Sequence, residues 1–529
     1  MTETKTTETT QAAQAAPEAS TTTPAPPADP AHPAELDALP AFSGWAAKMP
    51  YLRDSKAKRR RKVMRSLKEA IIRSGLTDGD TISFHHHFRE GDKVILQVVS
   101  QLAELGLENL TLASSSLNNC HAGLVEYIRS GVIGRIYTSG MRGELARQIS
   151  AGGLLQHPVT IHSHGGRAAL METGELKPKV AFLGVSACDE YGNANGFTGR
   201  AHCGSLGYAR TDAQYAEQVI LLTEQIVDYP NTPASIRQDQ VDFVVEVDEV
   251  GDPSRINVGA VRNTKNPRDL LIARRAAAVM EFGGYFEDGF SMQTGSGGAA
   301  TATTLYLKDR MERAGIKAAW ALGGITGTLA SLHEQGLVGR LLDVQSFDAG
   351  AAESLATSPA HTEISAAEYA SPLAKACCVD ELDMVILSAL EIDLKFNVNV
   401  LTGSDGLMMG ASGGHCDTAA GAKLVIVVAP LIRSRIPTVV EKVSTLITPG
   451  DNVDVLVTDY GIAVNPRSVG VAERLRAAGL KPTTIGDLYE QALKICGKPR
   501  QIERGDEIVG IVRYRDGSVI DTVRNVPSA

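Results

Sequence analysis

Three residues with reactive side chains stand together in the stretch GASGGHCDTAAGAK: His415, Cys416 and Asp417. A thiol nucleophile needs a base within hydrogen-bond reach. Neighbours in a loop rarely point at one another, so His415 and Cys416 make a poor nucleophile–base pair. Zinc needs three or four protein ligands at regular spacing, and no second spaced cluster completes such a set. Gly413 and Gly414 suit another role, because residues without a Cβ let backbone N–H groups come close to a ligand.

A second glycine-rich stretch, MQTGSGGAATATT (292–304), satisfies G-x-G-x-x-[GA] at Gly295, Gly297 and Ala300. As a dinucleotide fingerprint it also needs an acid about 20 residues on, near the end of the next strand, to hold the ribose. Position 323 is Gly, so that acid is missing. No Lys-Ser/Thr follows the glycines, which removes the P-loop reading as well. What remains is a strand-to-helix turn whose N–H groups face an anion or an oxyanion, or a tight turn with no ligand.

Two histidine-rich segments, HHHF (85–88) and HSHGG (162–166), follow apolar runs. Read as strands, they place His85 and His87 on one face with His86 opposite, and pair His162 with His164. Structural packing, contact with an anionic substrate and metal ligation stay open for each pair. Arg89, Arg142, Arg167 and Arg200 lie near predicted strand ends. Arginine clamps a carboxylate with two hydrogen bonds, so a polycarboxylate suits these positions.

The elements that must position these groups read as α/β. Apolar runs such as VAFLGVSAC, AAWALGG and LVIVVAP lack polar alternation, as parallel strands covered on both faces do. VDFVVEVDEV (241–250) alternates and is expected to be a less buried strand. Amphipathic stretches lie between the runs, and GELARQISAGG and LYLKDRMERAG each end in a glycine suited to a helix C-cap. Asn266-Pro267 is expected to open a helix, with a domain boundary near 265. In open parallel sheets, ligands bind beyond the carboxyl ends of the strands, where the polar, glycine-rich segments stand here. Residues 1–45 are rich in Ala, Thr and Pro and are expected to be disordered. A basic run follows, and Val63, Leu67 and Ile71 share helical spacing beyond it. It reads as a solvated helix face or a contact to an anionic partner.

The chain has 529 residues, more than the ~250–300 that one core usually holds. Its net charge of −9 opposes a main role on nucleic acid. Seven scattered cysteines with no C-x-x-C oppose a disulfide framework or a four-cysteine zinc module. The apolar run around Val425 to Ile432 falls far short of the ~18 residues a membrane span needs. With no signal-peptide pattern, the cytoplasm is the expected compartment.

The segments SMQTGSGGA, LGGITGTL, ALEIDLKFNVNVLTGSDGLMMGASGGHCDTA, VIVVAP and LVTDYGIAVNPR come in the order used by CoA-transferases. With SFHHHFREGD, RIYTSGMRG, IHSHGG and IVRYRDGSVID, the chain resembles the citrate lyase alpha subunit family over roughly 45 to 525. The resemblance implies an α/β fold of two CoA-transferase-like open domains with largely parallel sheets, residues 46–265 and 266–529, and an active site between them. It implies a transferase that exchanges acetate for citrate on an acyl-carrier thioester, with acetyl-CoA as a surrogate. The expected partners are the beta (lyase) and gamma (acyl-carrier) subunits of citrate lyase. This chain is expected to bind no cofactor and no metal of its own, and to act on the carrier's CoA-derived prosthetic group.

Many CoA-transferases carry a catalytic Glu where this sequence has Gly323, and no Asp or Glu lies between Arg313 and Thr328. Direct attack by citrate, without a glutamyl thioester, is therefore expected. Gly297, Gly298, Gly413 and Gly414 are the candidates for the oxyanion cradle. Gly295, Ser296, Asn397, Asn399, His415 and Asp417 are candidates for the carrier arm. His85, His87, Arg89, His162, His164 and Arg167 are candidates for the substrate. A metal-dependent hydrolase built on the histidines and a non-catalytic assembly subunit are the alternatives.

Overall fold

Apolar runs without polar alternation do become buried parallel strands: every residue of Val180–Val185 and of Leu424–Val428 is buried. The computed structural model describes residues 62–256, 264–295, 297–499 and 501–527, all within one compact unit, Arg61–Ala529. The expected disordered leader (1–45), most of the basic run and Ser296 lie outside the described residues.

Two large sheets organise the unit. The first has ten strands, in the order Val63–Met64, Phe243–Glu246, Gln218–Thr223, Val180–Val185, Thr81–Phe84, Leu110–Ser114, Ile133–Thr138, Val159–Ile161, Ile508–Arg513 and Val519–Arg524. All neighbours are parallel except the last pair. The strand order reverses around Thr81–Phe84. The second sheet has eight strands, His361–Glu363, Val338–Ser346, Ala318–Ile325, Phe290–Thr294, Met384–Ser388, Leu424–Val428, Val455–Val457 and Ile462–Val464, again parallel up to a final antiparallel pair. Its order reverses around Phe290–Thr294. Both reversals are topological switch points, where a crevice opens beyond the strand ends.

Local signals hold where they rest on capping chemistry. Asn266 caps the helix Pro267–Phe282 by accepting from the Arg268 N–H. The helices Gly143–Ala151 and Gly298–Ala314 end at Gly152 and Gly315, both at positive φ. Val63 does not share a helix with Leu67 and Ile71. It pairs with Val244 in a two-residue strand, and the helix Leu67–Ser74 starts after the cap Ser66. The hairpin Ile508–Arg513 and Val519–Arg524 was grouped by sequence with the second half, yet it joins the first sheet, through Gly510 beside Val159 and Val512 beside Ile161.

Candidate active site

The two switch points face one cleft of about 610 Å³. Beyond Thr81–Phe84 the chain supplies His86 and Arg89; beyond Phe290–Thr294 it supplies Gly295 and Gly297. The 410–414 loop of the second half closes one wall and is stitched to the first half by backbone hydrogen bonds. The Met141 N–H donates to Gly410 O at 3.1 Å, Ser412 to Ser139 O at 2.7 Å and His164 to Gly413 O at 2.9 Å. Neither Gly413 nor Gly414 gives its own N–H to a protein acceptor among the described residues. Gly297 caps the 17-residue helix Gly298–Ala314. The unbonded N–H groups of that first turn, with the positive end of the helix dipole, favour an anion in the cleft.

Positive charge comes from Arg89 and Arg142, which line the cleft side by side. Neither forms an ion pair among the described residues. Arg142 donates to Asn118 Oδ1 at 3.3 Å, and the Arg89 guanidinium lies 5.1 Å from the centre of the Phe347 ring. Burial, and then the like charge of Arg142, lowers the Arg89 pKa to about 10, so it remains a cation at neutral pH. Arg433 also lines the cleft and donates to the carbonyls of Leu390 and Ala389. No Asp or Glu lines the cleft among the described residues. The nearby carboxylate of Glu90 instead accepts from Asn119 Nδ2 at 2.7 Å and from the Cys120 N–H at 3.3 Å.

The histidine placement corrects the sequence reading. The strand stops at Phe84, before the histidines, and the face turned to the cleft is the opposite of the one expected. His86 reaches the cleft; His85 and His87 are buried against each other, ring centres 4.4 Å apart. His162 is buried below the cleft, with Nδ1 3.1 Å from Ser163 O. His164 does line the cleft, against Tyr208 at 4.5 Å and His86 at 5.6 Å. Burial keeps these imidazoles neutral, with His164 down to about 3. Arg167 is not available to a substrate. It is buried in a bidentate pair with Asp212, with Nη2 to Oδ2 at 2.9 Å. Arg200 donates to Glu224 O at 3.2 Å, away from the cleft.

The other candidates divide in the same way. His415 lines the cleft but spends both nitrogens: Nε2–H donates to Ser388 O at 2.9 Å, and Nδ1 accepts from Thr448 Oγ1 at 2.7 Å. Asp417 is fully buried and reaches no ligand. It accepts from Ser163 Oγ at 2.7 Å and from the Gly165 N–H at 2.9 Å; the stretch expected as a loop is the helix His415–Gly421, which Asp417 ties to the helix His164–Glu172. Burial pushes its carboxyl up to about 6 against those hydrogen bonds and the Arg515 cation. Cys416 is buried, with its thiol raised by burial, which leaves it inert. Asn397 and Asn399 do not reach the cleft. Asn397 donates to Asp393 Oδ2 at 3.1 Å, and Asn399 to Glu391 Oε2 at 2.9 Å and Thr402 O at 2.8 Å. The first half repeats part of this motif: Asn193 donates to Asp189 Oδ2 at 2.8 Å, and Asn195 accepts from the N–H groups of Phe197 and Thr198. A turn built alike in both halves is a folding device. Its spacing, Asp-x3-Asn-x-Asn at 189 and again at 393, is visible in the sequence.

A family model described as citrate lyase, alpha subunit (CitF) matches residues 60–526. The chain belongs to the citrate lyase alpha subunit family. It is 59% identical over 493 residues to the citrate lyase alpha chain of Klebsiella pneumoniae, covering 93% of this chain and 97% of that one. It is 60% identical over 468 residues to that of Escherichia coli K12, covering 88% and 92%. Among solved structures it resembles a Streptococcus mutans chain described as the alpha subunit of citrate lyase in complex with citrate. That match has 50% identity and a TM-score of 0.87, over 90% of this chain and 93% of that one. A malonate decarboxylase alpha subunit from Acinetobacter baumannii shares the fold at 17% identity, with a TM-score of 0.60 over 82% and 92% of the two chains. In this citrate lyase alpha subunit the cleft is lined by Arg89, Arg142 and Arg433 and, among the described residues, by no carboxylate.

Proposed function

We propose that this chain exchanges acetate for citrate on an acyl-carrier thioester, as the transferase of a citrate lyase complex whose beta subunit cleaves the citryl thioester and whose gamma subunit carries it. The observation that carries the reading is the pairing of two arginines without ion-pair partners, Arg89 and Arg142, with a cleft wall that holds no Asp or Glu among the described residues. Such a site attracts a polyanion and offers no enzyme carboxylate for a covalent intermediate. The related Streptococcus mutans chain was solved with citrate, the tricarboxylate these arginines suit.

A citrate carboxylate oxygen attacks the acetyl carbonyl, the C–S bond breaks, and a mixed anhydride and a thiolate result. The thiolate then attacks the citryl carbonyl, the C–O bond breaks, and acetate leaves. No proton is gained or lost overall, so neutral histidines are no obstacle. Arg89 and Arg142 bind citrate and lower the cost of bringing two anions together. The Gly413 and Gly414 N–H groups and the first turn of Gly298–Ala314 receive the developing negative charge; one preorganised donor is worth roughly 3–4 kcal/mol. The rest of the acceleration comes from holding the reactants in attack geometry.

The test is acyl exchange by the purified chain with acetyl-CoA and a panel of carboxylates, trapped with hydroxylamine or borohydride. Citrate turnover with no modified protein carboxylate is expected. A trapped glutamyl or aspartyl adduct would overturn direct attack, and preference for monocarboxylates over citrate would overturn the substrate.

A further inference from the structure

The place left empty at Gly323 is not empty space. Gly323 holds φ +97°, and a Cβ there would lie 2.7 Å from the Gln293 Cδ. The Gln293 carboxamide fills the room that a side chain at 323 would need. Its Nε2 donates to the Tyr369 hydroxyl at 3.1 Å, and that hydroxyl donates back to Oε1 of the same amide at 3.3 Å. Both side chains are buried from bulk water yet line the cleft. The Tyr369 oxygen also stands 2.5 Å from where a Cβ on Gly414 would be, so the pair bridges from Gly323 to the Gly413–Gly414 turn. One amide N–H is used on Tyr369; no described acceptor takes the other. Burial raises the Tyr369 phenol, which stays protonated.

We infer that the Gln293 carboxamide and the Tyr369 hydroxyl are catalytic hydrogen-bond donors to the oxyanion formed when citrate attacks the thioester. This rests on the transfer reading above and deepens it. When the citrate oxygen bonds to the carbonyl carbon, the C=O electron pair moves onto oxygen, where the free amide N–H meets it beside the Gly413 and Gly414 amides, and the phenol O–H turns to it from Gln293 Oε1. Collapse of that adduct expels sulfur with the C–S electron pair, and the donors keep their protons throughout. A neutral donor pair stabilises this charge without repelling a polyanionic nucleophile, as a carboxylate at the same place would.

The experiment is steady-state exchange between acetyl-CoA and citrate by the full chain, with Gln293→Ala, Gln293→Met and Tyr369→Phe. Met keeps the volume of Gln and guards against collapse of the site. Loss of one oxyanion donor predicts kcat down by about 10²–10³-fold for either Gln293 variant. Tyr369→Phe is expected to lose at least about tenfold on the same grounds. KM for both substrates and the melting temperature should change little. Variants that keep the wild-type kcat overturn the assignment, and so does a change confined to the KM for citrate, which would make the pair a binding device. A wild-type chain that exchanges nothing overturns the transfer reading, and this inference with it.

Discussion

Replacing Arg167 separates a structural arginine from a substrate-binding one. Asp212 is fully buried and bonded by both terminal nitrogens, Nη1 and Nη2, of the Arg167 guanidinium. In Arg167→Met the volume is nearly kept, but the Asp212 carboxylate is left buried without its cation. Breaking a buried pair from one side costs about 3–5 kcal/mol. Unfolding entropy of roughly 2.1 cal/mol/K per residue makes each kcal/mol worth only about 1 °C in a chain this long. A fall in melting temperature of about 3–5 °C is therefore expected if the unit melts as a whole, and more if one half melts first. Removing both charges, Arg167→Met with Asp212→Leu, should recover most of the loss, because an apolar pair of similar volume is often as stable as a buried ion pair. The assay is thermal melting of the wild type, both single variants and the double variant in one buffer, with exchange kinetics on the folded protein. KM for citrate should stay within about threefold of wild type, since a buried pair adds no contact to the ligand. A variant that melts like wild type and raises the KM for citrate tenfold or more would refute the structural role and restore Arg167 to the substrate site.

Four further outcomes follow from the same geometry. Arg142→Ala and Arg89→Ala should each raise the KM for citrate by about 10-fold or more, the scale expected on losing a charge-assisted contact, with little change for acetyl-CoA; equal effects on both substrates would contradict this. Gly323→Ala forces a Cβ onto Gln293 at a positive φ, and should cost about 1–3 kcal/mol of stability along with most of the exchange rate, read by melting and kinetics. Asp417 has its carboxyl pushed up to about 6 by burial, above its unfolded value. Its contribution to stability is thus fully present below about pH 4 and lost as pH rises through 6, a swing of about 3 kcal/mol that Asp417→Asn should abolish in a melting-versus-pH series. Cys416→Ala should retain exchange within about twofold, and the native chain should resist iodoacetamide at this position, because the thiol is buried and held protonated.

What could be read from the sequence was local. Asn266-Pro267, the capping glycines and the Gly295–Gly297 turn obey short-range rules, and each lies in the expected element; the second Gly-rich turn opens the helix His415–Gly421 where a loop is expected. The class of fold followed from apolar runs that need cover on both faces. The failures needed long-range information. Arg167 and Arg142 look alike in the sequence; only the approach of Asp212, 45 residues from Arg167, neutralises one of them. His85 and His87 do lie together, but it is His86 and not that pair that lines the cleft, a choice between two faces that local spacing does not make. Asn397 and Asn399 belong to a turn whose twin stands at Asp189, and only the repeat marks it as a folding device. Gln293 and Tyr369 meet across 76 residues; Gln293 stands in the Gly-rich stretch MQTGSGG, but attention there falls on the glycines, and no motif surrounds Tyr369.

The terminal hairpin has a consequence for synthesis. Val159–Ile161 waits for Ile508–Arg513 as its neighbour. About 350 residues separate the partners, so a ribosome at roughly 5–20 residues per second needs on the order of tens of seconds to deliver the second strand. During that interval the nascent first half presents an open parallel edge, the kind of surface that recruits foreign strands. Chaperone demand should therefore depend on translation speed through the second half, and a chain cut short near 500 should aggregate although it retains every residue that lines the cleft.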